Sequence, residues 1–143
     1  MQQRIVVDTN VLVSAIRSAD GAAREVLRRC LNGDAEPLIG NALFLEYEDV
    51  LSRDRLFEGA GINAEERSAL LDAVLSVCRW TNVAFLWRPN LPDEADNHLI
   101  ELAVAGNADW IITRNTRDVA GGELKFDSFG VLTPDAWLRQ DED

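Results

Sequence analysis

The chain has 143 residues, 47% of them hydrophobic, and a formal net charge of −11. This length and apolar content predict one domain over residues 1–143 with its own core, and the acidic balance argues against tight, sequence-independent binding to duplex DNA, where phosphate neutralisation supplies most of the affinity. No apolar run approaches the roughly 20 residues of a membrane span, and the segment after Met1-Gln2-Gln3-Arg4 is too short for a signal-peptide core, so a cytoplasmic protein without a membrane partner is expected. Cys30 and Cys78 fall on apolar helical stripes, which suits reduced core thiols better than a disulfide or a zinc site. All basic residues but Lys125 are arginine; arginine forks suit phosphate, and GC-rich codon usage gives the same composition.

In chain order, the nearly continuous β-branched run Arg4 to Asp8 predicts a strand covered on both faces. Val11 to Arg17 reads as a short helix, and Ala23, Val26, Leu27, Cys30 and Leu31 give a second one, ended by Asn32-Gly33. Pro37 to Gly40 reads as a strand. Asn41 is placed as the cap of a helix whose stripe is Leu43, Tyr47, Val50 and Leu51, closing near Arg53-Asp54, with Glu46 on the same stripe. Leu56 to Gly61 is a loop, and Asn63 with Glu66 forms a capping-box pattern before a helix reaching Cys78. Asn82 to Trp87 is predicted as a strand and Pro89 to Pro92 as a turn. From Asp93 a helix carries Leu99, Ile100, Ala103 and Val104 to Gly106, with Asp96 extending that face. Trp110 to Thr113 and Val131-Leu132 are strands, Asn115 to Ala120 a short helix, Pro134 opens a final helix, and Asp141-Glu142-Asp143 is a frayed acidic tail. Strands alternating with helices predict a three-layer α/β/α domain with a central, mostly parallel sheet, whose ligands bind outside the carboxyl ends of the strands.

Four segments bring a carboxylate up to an apolar element: Asp8 after Ile5-Val6-Val7, Glu46, Asp96 before Leu99-Ile100, and Asp118 behind Ile111-Ile112-Thr113-Arg114-Asn115. A buried, unpaired carboxylate costs several kcal/mol, so acids in such places imply a metal ion, an arginine partner or a raised pKa. Hard divalent cations take oxygen ligands, and Mg²⁺ keeps several waters while taking one or two carboxylates directly.

Val-Val-Asp8-Thr-Asn-Val-Leu-Val-Ser, then Pro-Leu-Ile-Gly with Glu46 in the next helix, then Asp96-Asn97-His98-Leu99-Ile100-Glu101-Leu102-Ala103, then Ile-Ile-Thr-Arg-Asn with Asp118, resemble in order the PIN domain family, in particular its small bacterial VapC-like toxin branch. The resemblance spans nearly the whole chain. It implies a ribonuclease that holds one or two Mg²⁺ or Mn²⁺ ions at the sheet edge, with Asp8, Glu46 and Asp96 on the first three acids. The fourth departs: many relatives carry Asp where this chain has Asn115, and Asp118 follows three residues later, so the remaining ligand lies between Asn115 and Asp118, a choice that decides between one metal ion and two. The resemblance further implies a homodimer and a cognate antitoxin protein that covers the acids, with single-stranded or structured RNA as substrate.

For the neighbouring residues both a functional and a bland reading stand. Thr9, Asn10 and Thr113 can hold the acids by hydrogen bonds, and Thr9 and Asn10 can equally cap the first helix. Arg114 and Arg117 can meet substrate phosphate or pair with the acids, with Arg117 weighted toward plain surface placement. Asp93 and Glu94 are ascribed to the helix dipole. His98, two residues from Asp96 and on another helical face, reads as a surface residue, as do Glu101 and Asp109. Trp80, Trp87, Trp110 and Trp137 are read as packing residues rather than base-stacking platforms. Two rival functions are a metal- or RNA-binding module without turnover and an aspartyl phosphohydrolase or phospho-receiver. The latter lacks its second acid, since position 10 is Asn, and its late-sheet Lys.

Overall fold

The computed structural model describes residues 2–18, 21–83, 97–116 and 129–140. Within these residues the elements are β1 (Gln3–Val7), α1 (Thr9–Arg17), α2 (Ala22–Leu31), β2 (Ala35–Ile39), α3 (Asn41–Leu51), a 3-10 turn (Asp54–Phe57), α4 (Ala64–Val77), β3 (Arg79–Trp80), α5 (Asn97–Ala105), β4 (Trp110–Ile112), β5 (Gly130–Leu132) and α6 (Pro134–Arg139). All strand pairs are parallel, in the order β3-β2-β1-β4-β5, with Gln3 opposite Ala35, Ile5 opposite Trp110, and Trp110 opposite Gly130. The predicted three-layer α/β/α domain is therefore the observed one.

Side chains alternate across the sheet because successive strand residues face opposite sides. Val6 and Ile111 belong to the core formed with α3, α4 and α5, whereas Ile5, Val7 and Ile112 belong to the core formed with α2, α6 and one side of α1. Helix α5 is covered nearly all round: Leu99, Ile100, Leu102 and Ala103 are all buried, and it touches β1, β2, β4 and α3. Glycines 40 and 130 are set by close approach. A Cβ at Gly40 would lie 3.3 Å from Thr81 O, and one at Gly130 would lie 2.3 Å from the Trp110 ring.

Several boundaries differ from the sequence reading. The cap of α3 is Gly40, with no side-chain cap, and Asn41 is already the first helical residue; the tight fit at Gly40 leaves no room for a capping side chain there. The third strand is Arg79–Trp80 rather than 82–87, because it follows α4 directly and pairs with the end of β2 at Leu38 and Ile39. Residues 81–83 carry no strand, and 84–87 lie outside the described residues. The Asn63–Glu66 capping box forms in both directions, and Thr133 caps α6 ahead of Pro134. The expected turn at 89–92, the start of the fifth helix at Asp93, residues 117–120 of the helix expected over 115–120, and the acidic tail also lie outside the described residues.

Candidate active site

The strand order has its switch point between β1 and β4: the chain builds from β1 outward to β2 and β3, then returns to β4 on the other side. Ligand sites in open parallel sheets sit beyond the carboxyl ends of strands at such a point. Asp8 is the residue after β1 and Thr113 the residue after β4. Asp8 N donates to Ile112 O at 2.9 Å and Thr113 N to Leu132 O at 2.9 Å, so both residues are fixed by one more rung of the ladder.

Asp8 is 7% exposed and Thr113 is fully buried. Thr113 Oγ1 donates to Asp8 Oδ2 at 2.7 Å, and the same oxygen accepts from Asn115 N at 3.1 Å and Asn10 Nδ2 at 3.4 Å. Asn10 Oδ1 accepts from Arg114 N at 3.1 Å. Thr9 Oγ1 donates to Glu46 Oε1. Neither Thr9 nor Asn10 caps α1: its cap residue is Asp8, which makes no side-chain cap bond. Both face the site instead.

Glu46 arrives from α3 at the edge of that helix's buried stripe of Leu43, Tyr47 and Leu51. Next to it, the Tyr47 hydroxyl donates to Val7 O, tying α3 to the last residue of β1. That bond sets Glu46 beside Asp8. The second oxygen of Glu46, Oε2, meets His98 Nε2 at 3.0 Å. His98, expected on the surface, is therefore a member of the site; its Nδ1 is buried and has no hydrogen-bond partner among the described residues. Glu101, also expected in solvent, is 6% exposed and lines with His98, Gly40 and Thr81 a cavity of about 290 Å³. Sequence reasoning missed both because it judged α5 alone; the near-continuous apolar run around them was the signal of a helix buried on several sides. Asp109 is exposed, as expected.

Electrostatics divide the two acids. Burial pushes the Asp8 carboxyl above its ordinary value; the Thr113 hydroxyl pulls the other way, and the negative charge of Glu46 adds to the rise. Glu46 is held below its ordinary value by the hydrogen bond to His98, against the effect of burial and with help from Thr9. An ionised Asp8 is therefore short of positive charge and has an ionised acid for a neighbour. Oxygen donors in such a deficit suit a hard divalent cation, and Asp8 and Glu46 are the described acids that could hold one. No group of three His, Cys, Asp or Glu side chains fit to hold a metal ion gathers among the described residues, and the other acids of the sequence constellation, Asp96 and Asp118, lie outside them, as does Arg117. Cys30 is buried and Cys78 half-buried, both are unpaired, and burial pushes each thiol up to about 12, which suits inert core residues.

Paired carboxylates at the switch point of a five-stranded parallel sheet place the protein among α/β domains that work from the carboxyl edge of the sheet. The family model described as the PIN domain matches residues 4–117, and the chain belongs to the PIN domain family, a family of nucleases. Among solved structures, a chain of VapBC2 from Rickettsia felis, crystallised bound to a DNA fragment from its promoter, aligns with a TM-score of 0.58 at 14% identity over 90% of this chain and 97% of that one. That similarity is one of fold. No curated protein matched the sequence. No helix among the described residues is long and apolar enough to cross a membrane.

Proposed function

We propose that this protein is a metal-dependent endoribonuclease acting in the cytoplasm as the toxin of a toxin–antitoxin pair. The observation that carries the reading is the carboxylate of Asp8, buried at the switch point, pinned by Thr113 and set beside Glu46. Asp8 and Glu46, with Asp96 and either Asn115 or Asp118 from the family pattern, would hold one or two Mg²⁺ or Mn²⁺ ions. Such ions, when bound, activate water and neutralise charge at the scissile phosphate. The chain's own part is positional: Thr113 fixes the rotamer of Asp8, while Thr9 and His98 fix both oxygens of Glu46. Water is the nucleophile, and no covalent enzyme intermediate forms.

The solved neighbour is described as VapBC2 bound to a DNA fragment from their promoter, and that name, with the VapC-like resemblance of this chain, supports a cognate antitoxin here. A basic antitoxin segment that reaches the acids would suit their charge, and a homodimer follows from the same resemblance. Purified protein is expected to cut single-stranded RNA in Mg²⁺ or Mn²⁺, with Asp8→Ala abolishing cleavage while circular dichroism shows an intact fold. Cleavage that survives both that substitution and a chelator contradicts the reading. Asn115 at the fourth acid position favours one second reading, a metal- and RNA-binding module without turnover. Metal-dependent RNA binding with no cleavage of any RNA tested would select it.

A further inference from the structure

A polar row runs along α1 away from the acids. Asn10 and Ser14 are four residues apart, the spacing that lines side chains along one helix face, about 6 Å apart along the axis, and Ser18 is the residue that ends the helix. Asn10 is joined to the site through Thr113 Oγ1 and Arg114 N. Ser14 and Ser18 then line a cleft of about 270 Å³ together with Gly21, Arg114, Thr133 and Asp135. Its walls are held in place. Arg24 donates from Nε to Ala15 O at 2.7 Å and from Nη2 to Ile16 O at 2.9 Å, locking the corner between α1 and α2, and Thr133 Oγ1 accepts from Ala136 N at 3.2 Å. Arg114 is exposed, and its guanidinium forms no ion pair among the described residues.

This set of groups suits a nucleotide better than a bare anion. An unpaired guanidinium binds a phosphodiester in a forked, charge-assisted arrangement, and serine and threonine hydroxyls are common partners of phosphate and sugar. The Asp135 carboxylate accepts hydrogen bonds only, so it disfavours inorganic phosphate but can take a hydrogen from a ribose 2′-hydroxyl or a base amino group. Resting on the ribonuclease reading above, we propose that this cleft is a subsite for one nucleotide of single-stranded RNA flanking the scissile bond, with Arg114 on its phosphate.

The test measures binding of a labelled single-stranded oligoribonucleotide to the full chain carrying Asp8→Asn, in Mn²⁺, by fluorescence anisotropy. In parallel oligonucleotides one phosphate at a time is replaced by an uncharged methylphosphonate. Adding Arg114→Gln is expected to weaken binding about tenfold, and neutralising one particular phosphate should weaken the parent by a similar factor yet leave the Arg114→Gln protein unchanged, since both remove the same contact. Arg55→Gln, an exposed arginine on the 3-10 turn, should change affinity less than twofold. Equal affinity with and without Arg114→Gln, or an equal loss at every neutralised phosphate, overturns the subsite. Cleavage by the unsubstituted chain separates the two claims. Cutting with KM unaltered by Arg114→Gln removes the subsite and keeps the nuclease; the expected binding pattern without cutting removes the nuclease and keeps the subsite; neither cutting nor binding removes both.

Discussion

Thr113 and Asp8, 105 residues apart in sequence, share a 2.7 Å hydrogen bond across the switch point of the sheet. The Thr113 hydroxyl serves three neighbours at once: it donates to Asp8 and accepts from the Asn10 amide and the Asn115 backbone. Thr113→Val keeps the shape and removes that oxygen. It should destabilise the fold by about 1–3 kcal/mol, the cost of leaving buried polar groups unpaired, and weaken Mn²⁺ binding about 10- to 100-fold. Thr113→Ser restores the hydroxyl and should recover most of both losses. Urea denaturation and Mn²⁺ titration of the two variants check this, and equal behaviour of Val and Ser would contradict it.

Asp8 opposes folding in the metal-free protein at neutral pH. Its folded-state pKa is raised, chiefly by burial, so the folded state favours the protonated carboxyl. Relative stability from this group is fully present below the unfolded value and is lost as pH rises through the raised one. Asp8→Asn, neutral and still able to accept from Thr113, should therefore raise the melting temperature in chelator at pH 7 by about 2–4 °C, the shift that about 1 kcal/mol produces in a domain of this size. The gain should shrink as pH falls and Asp8 itself becomes protonated. Glu46 acts with the opposite sign, since its lowered pKa gives stability that is lost as pH falls through it. A melting series for the parent and Asp8→Asn isolates the first effect, and a gain that grows toward acid pH would refute the assignment.

His98→Ala removes one of the two side chains that fix Glu46. The helix should stay folded, because the ring's only described polar contact is that carboxylate. Mn²⁺ affinity should fall about tenfold, the lower end of what is lost when an outer partner of a metal ligand is removed. Calorimetric titration reads the change, and unaltered affinity would show that Thr9 alone suffices to hold Glu46.

Arg67 supports the fold away from the acids. Only 3% exposed, it donates to Leu51 O at 2.8 Å and Ile62 O at 3.2 Å, lies 4.8 Å from the centre of the Phe57 ring and pairs with Asp54. Arg67→Met should cost about 2–4 kcal/mol, because two carbonyls lose their donor. Asp54→Asn should cost less than about 1 kcal/mol, since the Asp54 side chain is 83% exposed and its ion pair is screened. Denaturation midpoints of the two variants should differ accordingly, and a larger loss from Asp54→Asn would reverse the ranking.

Sequence patterns gave the helices and the parallel sheet because β-branched runs, apolar stripes and the Asn63–Glu66 and Thr133–Pro134 start signals are local. They also marked Asp8 and Glu46, whose placement on a strand end and a stripe edge is local too. The Thr113–Asp8 bond was hidden because it depends on β4 lying beside β1, a matter of strand order that no spacing reveals. His98 was misjudged for a related reason: in sequence it is weighed only against Asp96, two residues away, whereas its partner Glu46 comes from α3. Thr9 and Asn10 admitted a cap role in sequence because a helix does begin there, and only the neighbouring elements show that their polar atoms go to Glu46, Thr113 and Arg114.

The central claim, that Asp8 and Glu46 form a divalent-cation site, is tested most directly by the melting temperature in Mn²⁺ against chelator for the unsubstituted chain and for Asp8→Asn. A ligand that binds only the folded state stabilises it by RT ln(1 + [L]/Kd), about 2.7 kcal/mol at a hundredfold excess over Kd. The account predicts a rise of several degrees in Mn²⁺ for the unsubstituted chain and none for Asp8→Asn. An equal rise in both, or no rise in either at millimolar Mn²⁺, would contradict it.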